Sequence, residues 1–159
     1  MPLAVGDLAP DFVLPAHDGS QVRLSDLRGQ RVVLWFYPEA MSPGCTQQAC
    51  GFRDAIEPLA AEGLTVLGIS RDPVERLARF AERDAIPFPL LSDEDLQVHL
   101  AYDTFGEKQL YGKTVQGVRR TTLVVDADGR IEHAFYNTKA KGHVEMLRKR
   151  LGFAAPTAD

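Results

Sequence analysis

Short apolar runs alternate with amphipathic segments along most of the chain. Two runs, RVVLWFY at 31–37 and TVLGIS at 65–70, are almost continuously apolar. Such runs are typical of strands that are covered on both faces of a sheet. About 27 residues separate them, which is enough for a crossover helix, so the pattern predicts a right-handed βαβ unit.

The amphipathic segments predict the helices. The crossover helix should begin at Ser42 and Pro43, since serine favours the cap position and proline fits the first helical position. Its apolar side chains Phe52, Ile56 and Leu59 recur three or four residues apart, which indicates one buried face. Further helices are predicted at 73–84, 93–102 and 143–151.

Two other segments carry turn signals between apolar runs. Asp18-Gly19 lies within residues 12–24 and Asp128-Gly129 lies within residues 121–136, so each segment predicts a β-hairpin. The order of elements predicts an α/β fold. A central mixed β-sheet should be flanked by helices on both faces and extended by the amino-terminal hairpin.

Composition limits the classes of function. The chain of 159 residues is expected to form one domain, 1–159, with a frayed tail from about residue 153. A net charge of −4, with basic and acidic residues interleaved, disfavours nucleic acid as a partner. The amino terminus lacks the pattern of a secretory signal, and no apolar stretch approaches the length of a membrane span. We therefore expect a cytoplasmic protein without a membrane partner.

Both cysteines lie in one short stretch, SPGCTQQACG at 42–51. A zinc or iron–sulfur site normally needs four ligands at close spacing, whereas the histidines are scattered along the chain, so we expect no metal. In a reducing compartment a catalytic or sensing pair is more common than a persistent structural disulfide. Free cysteines are also often small core residues, and this explanation stays open.

The position of Cys45 favours a reactive thiol. Cys45 falls in or beside the first turn of the predicted helix, where free backbone N–H groups and the helix dipole favour thiolate over thiol. The preceding Pro43-Gly44 lets the backbone turn tightly and approach a small ligand closely.

The spacing of Cys45 and Cys50 limits the disulfide that they can form. On one regular helix their Cα atoms lie about 8.7 Å apart, whereas a disulfide spans at most about 7 Å. A static bridge is therefore disfavoured, and a switching bridge requires the start of the helix to unwind. The Cys-x4-Cys spacing also differs from the Cys-x-x-Cys of thioredoxin-type sites.

Residues 36–54, FYPEAMSPGCTQQACGFRD, contain the motif Pro-x3-(Thr/Ser)-x2-Cys as Pro38, Ser42 and Cys45. With this motif the stretch resembles the active-site segment of the peroxiredoxin family. The second cysteine five positions later is similar to the bacterioferritin-comigratory-protein branch, also called the Q type. The resemblance extends over most of the chain and includes residues 5–38 and 105–131.

This resemblance implies a thioredoxin-like fold and a thiol peroxidase that reduces hydrogen peroxide and organic hydroperoxides. By position, Cys45 is similar to the peroxidatic cysteine and Cys50 to the resolving cysteine, which would join as an intramolecular disulfide. Arg120 matches the family pattern Gly-x-x-Arg-x-Thr, although its neighbour Arg119 makes this assignment depend on strand register. The resemblance implies thioredoxin as the reductant, with glutaredoxin or glutathione as alternatives, and a monomer. We expect no cofactor.

The remaining motif residues have chemistry that suits this reaction. Arg120 can stabilise the thiolate and the charge on the leaving oxygen. The Ser42 hydroxyl and the backbone N–H of Gly44 can orient the peroxide, and Pro38 can shield the sulfur. Plainer roles are a surface ion pair for Arg120, a helix cap for Ser42 and a strand terminator for Pro38. The alternative functions are a peroxide-sensing redox switch and a protein thiol-disulfide reductase.

Overall fold

The computed structural model describes residues 2–153. Its strands are β1 (Val13–Pro15), β2 (Gln21–Arg23), β3 (Arg31–Phe36), β4 (Leu64–Ser70), β5 (Leu90–Ser92), β6 (Phe105–Leu110), β7 (Lys113–Val118), β8 (Thr121–Val125) and β9 (Ile131–Phe135). Its helices are α1 (Pro43–Asp54), α2 (Ile56–Ala61), α3 (Val74–Asp84), α4 (Gln97–Ala101) and α5 (His143–Leu151), with a short 3-10 helix at Leu24–Leu27.

A mixed sheet with the strand order β5-β4-β3-β8-β9 forms the centre of the described fold. Strands β3, β4 and β5 run parallel, whereas β8 pairs antiparallel with β3 and β9 pairs antiparallel with β8. Helices α1 and α2 form the crossover between the parallel neighbours β3 and β4. The predicted mixed α/β architecture and the amino-terminal hairpin β1–β2 are confirmed.

Strand β3 supplies core side chains to both faces of the sheet. Trp35 packs in the cluster that contains Cys45 and Phe52 of α1. Phe36 packs in a second cluster that contains Tyr102 and residues of the amino-terminal hairpin. Neighbouring strand residues point to opposite faces, and both β3 residues are fully buried. The first turn of α1 therefore lies over one face of the sheet.

The crossover contains two helices where the sequence pattern predicts one. Helix α1 ends at Asp54 and α2 begins at Ile56, with Ala55 between them. Pro58 lacks the N–H that would bond to the Asp54 carbonyl, and its ring would clash with that carbonyl in a continuous helix. The proline therefore separates the cysteine-bearing helix from the rest of the crossover.

The hairpin formed by β6 and β7 is absent from the sequence-based prediction. The two strands pair antiparallel between residues 105 and 118. Most of their side chains are polar or charged, so the alternation of apolar and polar residues that marks a half-buried strand is weak. Tyr111 and Gly112 form the turn with φ angles of 52° and 78°, a combination that suits a tight hairpin.

Two boundaries also differ from the prediction. Helix α4 occupies Gln97–Ala101, which is the second half of the segment predicted to be helical. Phe153, where we expected fraying to begin, is buried with 2% of its surface exposed. The rest of the predicted frayed tail lies outside the described residues.

Candidate active site

Cys45 lies in the first turn of α1, and its side chain is fully buried. Ser42 occupies the N-cap position in an extended conformation and Pro43 the first helical position, as the sequence predicts. The first backbone N–H groups of a helix have no partner within it and carry the positive end of the helix dipole. A negative charge on the Cys45 sulfur would therefore lie beside the positive end of α1.

The guanidinium of Arg120 reaches this thiol from the connection between β7 and β8. Its Nη1 donates a hydrogen bond to Cys45 Sγ over 3.4 Å. The Arg120 carbonyl accepts hydrogen bonds from the N–H of Thr138 at 2.7 Å and from its hydroxyl at 3.2 Å, which fixes the local backbone. Arg119 points elsewhere, and its Nη2 donates to the Asp103 carboxylate at 3.1 Å.

Gln48 holds the guanidinium of Arg120 toward the sulfur. The Gln48 Oε1 accepts hydrogen bonds from Arg120 Nη1 and, at 3.0 Å, from Trp35 Nε1. Gln48 is buried, so a rotation of the guanidinium would leave a buried acceptor with one bond fewer. Gln48 is not among the site residues that the sequence predicts. The available signal is its i+3 spacing from Cys45, which places the two side chains on one face of α1.

The hydroxyl of Ser42 does not cap α1. Its Oγ donates to the Glu39 carbonyl at 2.9 Å, whereas the Ser42 carbonyl accepts the N–H of Thr46 at 2.8 Å. The Ser42 side chain is half-buried. Because a hydroxyl oxygen has two acceptor lone pairs, it can still accept a hydrogen bond from a ligand.

Pro38 follows β3 and lines an opening beside Arg120. The opening has a volume of about 160 Å³, and its walls include Pro38, Val118, Arg120 and Thr138. Proline has no backbone N–H, so it covers this wall without adding a donor.

Gly44 lets α1 approach Arg120 closely. A Cβ at this position would lie 3.1 Å from Arg120 Nη2 and 3.3 Å from the Cβ of Ala140. A larger residue would therefore displace the guanidinium or the loop that carries Ala140.

The structure does not bring the two sulfurs together. Cys45 and Cys50 are both free thiols on the uninterrupted helix α1, and Cys50 is half-buried. Five residues of regular helix keep their Cα atoms about 8.7 Å apart, which exceeds the limit of about 7 Å for a disulfide.

His143, at the start of α5, is a buried neighbour of this site. Its Nε2 lies 2.7 Å from the hydroxyl of Thr122. Burial, together with the positive charge of Arg120, lowers the pKa of His143 to about 4. The imidazole is therefore neutral near pH 7. No sequence spacing relates His143 to the site, because the packing of α5 beside α1 brings His143 close to Phe52 and Arg120.

Residues 2–153 contain no group of three or more His, Cys, Asp or Glu side chains arranged to hold a metal ion. In the same part of the chain, no helix combines the length and hydropathy that a membrane span requires.

Comparison with known proteins identifies relatives over nearly the full length. A model described as the AhpC/TSA family matches residues 5–134. Peroxiredoxin Bcp of Escherichia coli is 51% identical over 146 residues, which cover 92% of this chain and 94% of the relative. A protein of Mycobacterium tuberculosis named as a peroxiredoxin is 55% identical over 149 residues, which cover 94% of this chain and 95% of the relative.

Solved structures show the same fold. A cysteine-to-serine mutant of PrxQ from Xylella fastidiosa matches with a TM-score of 0.89 and 30% identity, covering 96% of this chain and 97% of that chain. A structure of the Xanthomonas campestris bacterioferritin comigratory protein, described for its alkyl peroxide reduction activity, matches with a TM-score of 0.85 and 31% identity over 94% of this chain and 96% of that chain. The predicted thioredoxin-like fold is confirmed, and the chain belongs to the AhpC/TSA family as a peroxiredoxin of the Bcp or Q type.

Proposed function

We propose that this thiol-dependent peroxidase uses Cys45 as its nucleophile and Cys50 as its resolving residue, with hydrogen peroxide and organic hydroperoxides as substrates. The observation that carries the proposal is the 3.4 Å contact between Arg120 Nη1 and Cys45 Sγ at the start of α1. A cation and a helix amino terminus both stabilise negative charge on the sulfur. The same groups can meet the charge that develops on the departing oxygen.

The first step oxidises Cys45. The thiolate attacks the terminal oxygen of the hydroperoxide, the O–O bond breaks, and the departing oxygen takes up a proton and leaves as water or alcohol. Cys45 becomes a sulfenic acid, which is the reversible first oxidation state of the thiol. The reaction converts one peroxide bond into one S–O bond and one O–H bond.

The surrounding residues orient the peroxide for this attack. Arg120 donates toward the reacting oxygens while Gln48 keeps its guanidinium turned to the sulfur. The Ser42 Oγ can accept a hydrogen bond from the O–H of the hydroperoxide, since its own hydrogen is directed to the Glu39 carbonyl. Free N–H groups at the start of α1, including that of Gly44, add further donors. Pro38 shields the Cys45 sulfur from bulk water.

The second step requires α1 to unwind at its beginning. Cys50 attacks the Cys45 sulfur, the S–O bond breaks, hydroxide leaves as water with the proton of the Cys50 thiol, and an intramolecular disulfide forms. The intact helix keeps the two Cα atoms too far apart for this bond. Local unfolding of one or two helical turns is a motion available to a folded protein.

Reduction of the disulfide completes the cycle. We propose thioredoxin as the reductant, with glutaredoxin or glutathione as substitutes, in a monomeric enzyme of the cytoplasm. The related Xanthomonas protein, described for alkyl peroxide reduction, supports an alkyl hydroperoxide as one substrate.

Steady-state peroxide consumption tests the assignment of the two cysteines. With thioredoxin, its reductase and NADPH, the wild type should reduce many peroxide molecules per chain. Cys45→Ser should consume none above background, whereas Cys50→Ser should lose more than about 90% of turnover because thioredoxin meets no disulfide. Activity in Cys45→Ser would disprove the nucleophile. Undiminished turnover in Cys50→Ser would remove Cys50 from the cycle.

A further inference from the structure

The turn between β3 and α1, formed by residues 39–42, has a conformation that needs support. Met41 has a φ of 67°, in the left-handed region that a side chain other than glycine rarely adopts. The N–H of Ser42 closes the turn on the Glu39 carbonyl at 3.3 Å. The same carbonyl accepts the Ser42 hydroxyl. The direction of that hydroxyl therefore depends on how the turn is held.

An ion pair between Asp72, just after β4, and Arg76 of α3 holds the buried peptide groups of Ala40. The N–H of Ala40 donates to Asp72 Oδ2 at 2.8 Å, and the Ala40 carbonyl accepts from Arg76 Nη2 at 3.1 Å. Asp72 Oδ1 and Arg76 Nε lie 3.3 Å apart. Because Ala40 is fully buried, both peptide groups need partners, and this pair supplies one for each.

Asp72 and Arg76 are fixed by other contacts as well. The Ser70 hydroxyl donates to Asp72 Oδ2 at 2.8 Å, and the Ser92 hydroxyl donates to the Asp72 carbonyl at 2.7 Å. Arg76 Nη2 also reaches the Glu39 carboxylate at 3.2 Å. The pair thus anchors the turn to β4, β5 and α3.

We propose that Asp72 and Arg76 are positioning residues for the peroxidase reaction, acting through the residue 39–42 turn. They fix Ala40, Ala40 fixes the Glu39 carbonyl, and that carbonyl directs the Ser42 hydroxyl toward its place in the site. Arg120, held by Gln48, reaches Cys45 from the connection between β7 and β8, on another side of the site. The site is therefore held independently on two sides. This proposal rests on the proposed function and adds to it the residues that orient the Ser42 hydroxyl.

Two reactions of the Cys45 thiol should depend differently on the residue 39–42 turn. Alkylation by iodoacetamide requires a reactive Cys45 thiolate but no oriented hydroxyl. Reaction with peroxide requires both, because the oxygen under attack must be aligned with the sulfur. Loosening the turn should therefore slow the peroxide reaction selectively, whereas general damage to the fold would change both rates.

Two rates measured on the full chain test the proposal. Stopped-flow kinetics give the rate of reaction with hydrogen peroxide, and mass spectrometry gives the rate at which iodoacetamide alkylates Cys45. Arg76→Ala and Asp72→Asn should lower the peroxide rate about tenfold and change the alkylation rate less than about twofold. Arg76→Lys should recover part of the loss, since an ammonium can still donate to the Ala40 carbonyl. Two variants are used because Asp72→Asn breaks the ion pair with Arg76 at nearly constant side-chain volume, whereas Arg76→Ala removes a side chain at a partly exposed position.

Glu145→Gln is the matched control. It weakens another ion pair between residues that are close in sequence, in which Arg148 Nη2 lies 2.7 Å from Glu145 Oε1 on α5, and it should leave both rates unchanged. Unchanged peroxide rates in Arg76→Ala and Asp72→Asn, or a parallel fall of both reactions, would overturn the proposal. An inactive wild type would instead refute the proposed function, so the two failures are distinguishable.

Discussion

Two adjacent arginines have different partners in this protein. Arg120 contacts the Cys45 sulfur, whereas Arg119 pairs with Asp103 and lies over Gly106, where a Cβ would come within 2.9 Å of its Nη1. Both arginines lie in the short connection between β7 and β8, outside either strand. The family motif favours Arg120 from sequence, but only the fold shows which side chain turns toward the thiol.

Replacing each arginine separately should give very different peroxide rates. Arg120→Ala should slow the reaction of Cys45 with hydrogen peroxide by about 100-fold or more, the usual cost of losing one preorganised donor at a developing charge. Arg119→Ala should change it by less than about threefold, since this residue contacts the β6 side of the hairpin. Stopped-flow kinetics under pseudo-first-order conditions measure both. An equal or greater loss in Arg119→Ala would refute the role of Arg120.

His143 should make the protein less stable as pH falls. Burial and the charge of Arg120 lower its folded pKa to about 4 from 6.5. Between these values the unfolded chain binds a proton that the folded chain excludes. The contribution of the neutral, buried His143 to the free energy of unfolding is therefore complete above pH 6.5 and is lost as the pH falls toward 4.

A shift of this size corresponds to about 2 kcal/mol between pH 7 and pH 4.5. Urea unfolding at the two pH values measures the drop in the free energy of unfolding. His143→Gln keeps a hydrogen-bonding partner for Thr122 without a group that titrates, so it should make the drop smaller by about that amount. The same drop in wild type and His143→Gln would show that His143 is not its source.

The residues that sequence reasoning did not assign to the site share one property. Gln48 and His143 are polar side chains that the fold buries next to Arg120. Their types are common on protein surfaces, and nothing local in the sequence distinguishes a buried glutamine from an exposed one. Cys45 and Ser42 could be found because a helix start leaves a local signature.

At the scale of elements, α1 is held on two sides. Toward α3, Arg83 Nη2 donates to the Thr46 hydroxyl at 2.8 Å and Arg53 Nη1 donates to the Asp84 carbonyl at 2.8 Å. Toward α5, Gly51 approaches Val144 so closely that a Cβ would lie 2.9 Å from its Cγ2. Thr46 lies between the two cysteines, so the proposed unwinding at the start of α1 would break its hydrogen bond with Arg83.

Removing the Arg83 contact should therefore speed formation of the disulfide. The side chain of Arg83 is 46% exposed, which limits its contribution to about 0.5–1 kcal/mol. Arg83→Ala should accelerate the conversion of sulfenic acid to disulfide about two- to fivefold. Arg79→Ala, at an exposed position of the same helix, should have no effect.

Fluorescence of Trp35 can follow the conversion of sulfenic acid to disulfide. Trp35 is the one tryptophan of the sequence, and its Nε1 donates a hydrogen bond to Gln48 of α1. Stopped-flow traces after addition of one equivalent of peroxide give the rate. If Arg83→Ala and Arg79→Ala leave the rate equally unchanged, opening of α1 does not limit disulfide formation.

The predicted elements agree with the structure where local chemistry is distinctive. Ser42 and Pro43 mark the start of α1 correctly. Pro58 marks its interruption, yet the apolar spacing of Ile56 and Leu59 suggests continuity across it. Most described side chains of hairpin β6–β7 are exposed or half-buried, so its pairing depends on tertiary context more than on an apolar pattern.

At the scale of the whole molecule, the sheet brings distant parts of the chain to one site. Strand β3 precedes Cys45, and its antiparallel neighbour β8 follows Arg120, so the pairing of these strands places the two residues together. The buried runs made the strands and the fold class predictable. The exact register of β3 with β8 depends on packing, which the sequence pattern does not encode.

Amide hydrogen exchange of the reduced protein, compared with that of the protein oxidised by one equivalent of peroxide, shows whether the start of α1 opens. The sheet and α1 should differ in response, because only the start of α1 must open for Cys45 to reach Cys50. We expect oxidation to accelerate exchange across residues 43–52, while β3, β4 and β8 keep their protection. Unchanged protection of residues 43–52 in a sample that carries the Cys45–Cys50 disulfide would contradict it.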